Sequence, residues 1–139
     1  MLPANCYVLL AEDDEDDALF FREEFSRHCP SVELLHFTDG KEVIDFLAGC
    51  PLESGPALLL LDYKMPTMSA IEVLDFLRSQ ERYRTMKKVV WSTSSRLDER
   101  DRCISLGADC FLRKPGTETE WNEIGLKIAT HLKARTADR

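Results

Sequence analysis

Along the chain, short apolar runs alternate with longer segments in which apolar residues recur at helical spacing. The runs cover residues 6–11, 32–37, 57–61, 88–92 and 109–112 and read as five strands. Residues 58–61 are four consecutive leucines, apolar on both faces as a strand in the middle of a sheet requires. The second run, with Val32, Leu34, Leu35 and Phe37, alternates only in part and is flanked by charge, which places it toward an edge.

Five helical segments follow these strands. The first, about 16–28, sets Ala18, Phe21 and Phe25 on one stripe and Arg22, Glu23 and Arg27 on the other, and Pro30 stops it. The second follows Thr38-Asp39-Gly40, carries Val43, Ile44 and Leu47, and ends in a loop at 49–56. Pro66 precedes the third, which carries Ile71, Leu74 and Leu77. The fourth, about 98–106, offers only a thin stripe of Leu97, Cys103 and Ile104, closes at Gly107, and is expected to be the least stable. The fifth opens at a Thr117-x-x-Glu120 capping box and places Trp121, Ile124, Ile128 and Leu132 on one face. Residues from Ala134 onward are polar and expected to fray. Strands alternating with helices, without repeat or linker, predict one α/β domain over 1–139 with its core at about 5–133. The expected architecture is a (βα)5 doubly wound, five-stranded parallel sheet with right-handed crossovers.

Composition narrows the classes of partner. With 44% hydrophobic and 31% charged residues, the chain supports a single core that needs no disulfide or structural metal. Its net charge of −7 opposes general binding to nucleic acid or an anionic membrane surface. No apolar run approaches a membrane span, and the residues after Met1 lack the apolar core of a secretory signal, so a cytoplasmic location is expected. Five scattered cysteines without a C-x-x-C pair, and only three histidines, read as reduced, packed side chains.

In a parallel sheet the working site lies outside the carboxyl ends of the strands. The first strand delivers Glu12, Asp13 and Asp14 there, the third Asp62, the fourth Ser92 and Thr93, and the fifth Lys114 followed by Pro115. Singly, each has an ordinary use: acids favour the positive end of a helix, an Asp after a strand caps a turn, and a loop Lys is solvated. Together they bring carboxylates, hydroxyls and an ammonium to one rim. Crowded carboxylates repel at neutral pH unless a cation joins them. Oxygen ligands without His or thiolate suit a hard divalent ion such as Mg²⁺, and a phosphoryl group would complete its shell. The acidic loop 12–17 repels a bare phosphate, which argues against a flavin or dinucleotide site, and no G-x-x-x-x-G-K-[ST] motif occurs.

These residues closely resemble the receiver domain of two-component response regulators, from Tyr7 to about Leu132. The stretches that carry the resemblance are VLLAEDD from Val8, LLLLDYKMP ending at Pro66, VVWSTSS from Val89 and LGADCFLRKP ending at Pro115. The spacings from Asp62 to Ser92, 30 residues, and from Asp62 to Lys114, 52 residues, match the family without a gap. The acid-rich first loop and the hydroxyl doublet look most similar to stand-alone receivers that include partners of phytochrome-type and other sensor kinases.

The resemblance implies a fold, a chemistry and a set of roles. The fold is flavodoxin-like, with strand order 2-1-3-4-5. Asp62 would be the phosphoacceptor, attacking the phosphohistidine of a sensor histidine kinase or histidine phosphotransfer protein. Asp13 would bind Mg²⁺ directly and Glu12 through water, with Asp62 and the backbone carbonyl of Lys64 completing the protein ligands. Lys114 would neutralise phosphoryl charge, aimed by a cis Lys114–Pro115 peptide. Ser92 would be the switch hydroxyl, because adjacent strand residues face opposite sides and gap-free counting selects it. Thr93 would shape access to the site, a one-residue slip exchanging the two. Phe111 would be the aromatic switch. Slow autodephosphorylation at the same site would follow. With 25 residues after Lys114, output is expected through a downstream protein bound by the fourth helix, fifth strand and fifth helix, or through homodimer formation. Kinase docking is expected beside the first helix, with Phe20 as a contact or a core residue.

Three positions depart from the family pattern. Ala70 stands where a Gly is frequent, and would be strained there if φ were positive. Glu12 replaces a common Asp, and Lys64 places a cation beside the acceptor. Two other classes use related residues. A small-molecule phosphohydrolase needs a second acid two residues after its nucleophile, where Lys64 stands. A pseudo-receiver that binds partners without phosphorylation would not need the intact acids and lysine.

Overall fold

The computed structural model describes residues 6–51 and 55–137, with side chains through 133. The residues after Met1, the expected core boundary at residue 5, the middle of the 49–56 loop and the last two tail residues lie outside the described residues. Five strands alternate with five helices: β1 (Tyr7–Ala11), α1 (Glu15–His28), β2 (Glu33–Phe37), α2 (Gly40–Ala48), β3 (Leu58–Asp62), α3 (Ala70–Arg78), β4 (Lys87–Ser92), α4 (Leu97–Ser105), β5 (Cys110–Arg113) and α5 (Glu118–Ala137). A 3₁₀ turn at Glu81–Tyr83 leads into β4. All pairings are parallel and the order is β2-β1-β3-β4-β5, the doubly wound flavodoxin-like arrangement. The partly alternating β2 lies at an edge, and β3, buried along its whole length, is central.

Side-chain alternation divides the core into two layers. Val8, Leu10, Leu58, Leu60, Val89 and Trp91 face α1 and α5, meeting Phe21, Phe25, Ile124 and Ile128. Leu9, Ala11, Leu59, Leu61 and Val90 face the other helices, meeting Val43, Leu47, Val73, Leu74 and Cys103.

Local chemistry sets the helix ends. Asp14 caps α1 by accepting the Asp17 amide at 2.9 Å, and Asp39 caps α2 through the Glu42 amide at 2.8 Å. The Thr117 capping box forms, with Thr117 Oγ1 accepting the Glu120 amide at 3.2 Å. By contrast, α4 has no side-chain cap and buries only Cys103, while Leu97 is 71% and Ile104 39% exposed. Two expectations are corrected. The backbone stays helical through Ala137 instead of fraying from Ala134, because polar residues such as Lys and Arg are good helix formers at an exposed end. Ala70 is the first residue of α3, capped by Ser69, and it is Thr67 that adopts positive φ, at 67°. The tight turn after Pro66 is thus made three residues before the position where strain was expected. No disulfide forms among the described residues, and Cys29 and Cys103 are buried.

Candidate functional site

The carboxyl ends of β1, β3 and β5 bring four of the expected groups into contact. Glu12, Asp13 and Asp62 each offer a carboxylate oxygen within 4.8 Å of the others. Lys114 reaches across from the end of β5: its Nζ lies 2.9 Å from Glu12 Oε1 and 3.3 Å from Asp62 Oδ1. The ammonium also sits 5.4 Å from the centre of the Trp91 ring, so its stem crosses an apolar floor on the way to the acids. The Lys114 amide donates to the Ser92 carbonyl at 2.7 Å, which ties the end of β5 to the end of β4.

Glu12 is fully buried, and its loop is held from several sides. Its amide donates to the Phe37 carbonyl at 2.9 Å, its own carbonyl lies 2.7 Å from His36 Nε2, and its Oε2 accepts the Asp14 amide at 3.0 Å. Asp13, beside it, is exposed. Asp62 ends β3, 6% exposed.

Burial, then repulsion from Glu12, pushes the Asp62 carboxyl up to about 8 against the pull of Lys114. Burial likewise raises Glu12, opposed by the Asp14 amide and Lys114. Burial alone would lower Lys114, but Glu12, Asp17 and Asp62 outweigh it and hold the ammonium above its ordinary value. With one ammonium among them, the two buried acids thus resist full ionisation at neutral pH, and a further cation would favour their charged forms. An all-oxygen donor set of this kind fits a hard divalent cation, which Glu12, Asp13 and Asp62 would hold.

Other expected residues surround this cluster. Ser92 is buried at the end of β4, where its Oγ accepts the Ser94 amide at 3.1 Å, and Thr93 beside it is exposed. Phe111 is half-buried and meets Tyr63, the neighbour of Asp62, edge to face at 6.1 Å. Lys64 is exposed in the bend after β3. One implied detail is overturned: no peptide bond among the described residues is cis, so Lys114–Pro115 is trans. The lysine reaches the acids by its long side chain from the trans form, the lower in energy for an X–Pro bond by about 0.5–1 kcal/mol.

Asp17 was missed. Read along the sequence it belongs to a solvated acidic helix start, yet its Oδ2 lies 3.0 Å from Lys114 Nζ. Its neighbour Asp16 is exposed, whereas Asp17 sits at the third helical position and points toward the rim. The signal was the helix start itself: with α1 beginning at Glu15, Asp17 falls at its third position, next to the buried Ala18.

A family model for the response regulator receiver domain matches residues 8–124, which include every one of these groups. The chain belongs to that family. Among curated relatives, it is 31% identical over 113 residues to the probable methanogenesis regulatory protein FilR2 of Methanothrix harundinacea, covering 78% of this chain and 71% of that one. It spans only about a third of several other curated relatives that it matches. The Mn²⁺-bound response regulator Rcp1 superposes with a TM-score of 0.78 at 25% identity, covering 88% of this receiver and 91% of that chain. The phosphorylated cyanobacterial phytochrome response regulator RcpA gives 0.79 at 25% identity, covering 88% and 90%. No helix among the described residues is long and apolar enough to cross a membrane.

Proposed function

We propose that this receiver is a Mg²⁺-dependent phosphorylation switch in the cytoplasm, with Asp62 as the phosphoacceptor. The observation that carries the reading is the meeting of Lys114 and Asp62, 3.3 Å apart, with Glu12 and Asp13 from another strand end. The relatives solved with Mn²⁺ and in a phosphorylated form support it. A carboxylate oxygen of Asp62 attacks the phosphorus of a phosphohistidine on a sensor kinase or phosphotransfer protein. The new O–P bond forms as the P–N bond breaks, and the imidazole leaves with its electron pair and takes up a proton. Lys114 balances charge on the equatorial phosphoryl oxygens, so the chain works by positioning and electrostatics more than by proton transfer. A divalent cation held by Glu12, Asp13, Asp62 and the Lys64 carbonyl would supply the remaining positive charge.

After transfer, Ser92 gives up the Ser94 amide and donates its hydroxyl to a phosphoryl oxygen, and Phe111 repacks with it. The output then passes through α4, β5 and α5, to a downstream protein or a second copy. The single buried side chain of α4 and the exposed Leu97, Ile104 and Leu126 support that face. Phe20, 46% exposed and packed on Trp121 at 5.5 Å, supports donor docking beside α1. The convergence of acids and lysine leaves no observation that favours a phosphorylation-independent interaction module.

Intact-mass measurement after incubation with Mg²⁺ and acetyl phosphate tests the reading. One acid-stable, base-labile phosphoryl addition that disappears in Asp62→Asn is expected. No addition, or one that persists in that variant, overturns it.

A further inference from the structure

Lys114 has three ammonium protons and three carboxylate neighbours: Glu12 at 2.9 Å, Asp17 at 3.0 Å and Asp62 at 3.3 Å. The two shorter contacts come from one stretch of chain, the β1–α1 loop and the first turn of α1. The longest goes to the residue that reacts. Asp17 is not a neighbour by chance of a flexible tip. Its amide is fixed by Asp14 at 2.9 Å, it is 26% exposed, and Lys114, at 8%, is pressed over Trp91.

We propose that Asp17 is a positioning residue that holds Lys114 back from Asp62, so that ammonium and divalent cation do not compete for the same carboxylate. This rests on the role given above to Lys114. Without Asp17, the proton now directed at α1 is free to turn to Asp62, whose negative charge the cation needs. Loss of the Asp17 charge also weakens the field that attracts the cation, and both effects have the same sign. Asp16 separates them: it carries the same charge on the same turn but is exposed.

The test uses the unphosphorylated protein with Mn²⁺ alone, free Mn²⁺ being counted by electron paramagnetic resonance. Because no phosphodonor is present, its outcome is independent of whether Asp62 accepts a phosphoryl group. Asp17→Asn should raise the Mn²⁺ dissociation constant about five- to tenfold, whereas Asp16→Asn should stay within about twofold, a charge effect alone. Asp17→Glu, which keeps the charge and can still reach the ammonium, should return most of the affinity. In ¹⁵N spectra of the lysine ammonium groups, the Lys114 signal should be protected from exchange in the native protein and broaden in Asp17→Asn. Equal losses in Asp16→Asn and Asp17→Asn, or an unchanged Lys114 signal, would overturn the proposal. Thermal melts of each variant show that the fold is retained.

Discussion

The two ends of the sheet each bury a lysine, and they use it in opposite ways. At the carboxyl end Lys114 meets three carboxylates. At the amino end Lys88, 7% exposed, donates instead to two backbone carbonyls, Tyr83 at 2.8 Å and Met86 at 2.9 Å. Burial lowers the Lys88 ammonium from its ordinary value, with Asp109 opposing, whereas at Lys114 the acids overcome burial. The same side chain, equally hidden, is thus a structural staple at one end and a charged instrument at the other. What decides is the formal charge of its acceptors. Turn chemistry follows the same division: the amino end makes its left-handed turn with Gly107, at φ 104°, and the carboxyl end with Thr67, at 67°. A β-branched residue in that region is strained, and the strain sits beside the site.

Exchanging the two lysines for methionine in turn is the most severe way to break the contrast. Lys114→Met should slow phosphorylation of Asp62 by acetyl phosphate by about 10²–10³-fold, the usual loss for one preorganised electrostatic group. Lys88→Met should leave that rate within about twofold, since Lys88 touches no part of the site. Time-resolved intact-mass spectra read both.

Stability should reverse the ranking. Lys88→Met leaves the Met86 carbonyl without its donor and should cost about 1–3 kcal/mol in urea unfolding at neutral pH. The cost should also grow with pH. A lysine held below its ordinary value binds fewer protons folded than unfolded, so the wild type gains stability as pH rises toward 10.5, and the methionine variant lacks that gain. A pH-independent difference would mean that Lys88 is not depressed by burial.

The smallest effect concerns the turn. Thr67→Gly should add about 1 kcal/mol to stability by relieving the left-handed backbone, less the entropy that glycine adds to the unfolded chain. A shift of the urea midpoint without a change in slope measures it.

The legible parts of this molecule were those written in period and spacing. Four leucines in a row mark the central strand, and the 30- and 52-residue steps from Asp62 point to Ser92 and Lys114. Asp17 was not legible, because six acids in six consecutive positions look alike until the helix start fixes which of them turns toward the rim. The Thr67 turn was not read for a related reason: the strain at Ala70 was conditional on positive φ there, and nothing in a Pro-Thr-Met-Ser run tells which residue must go left-handed. The trans Lys114–Pro115 bond, expected cis, shows that a family's backbone detail transfers less surely than its charges.

Trp91 lies beneath the Lys114 ammonium with its ring fully enclosed. An indole so close to a point charge has its excited state tuned by that charge's field. Any event that draws the ammonium toward or away from Asp62 therefore shifts the emission colour of a native fluorophore, and the chain carries its own optical gauge of the state of its site.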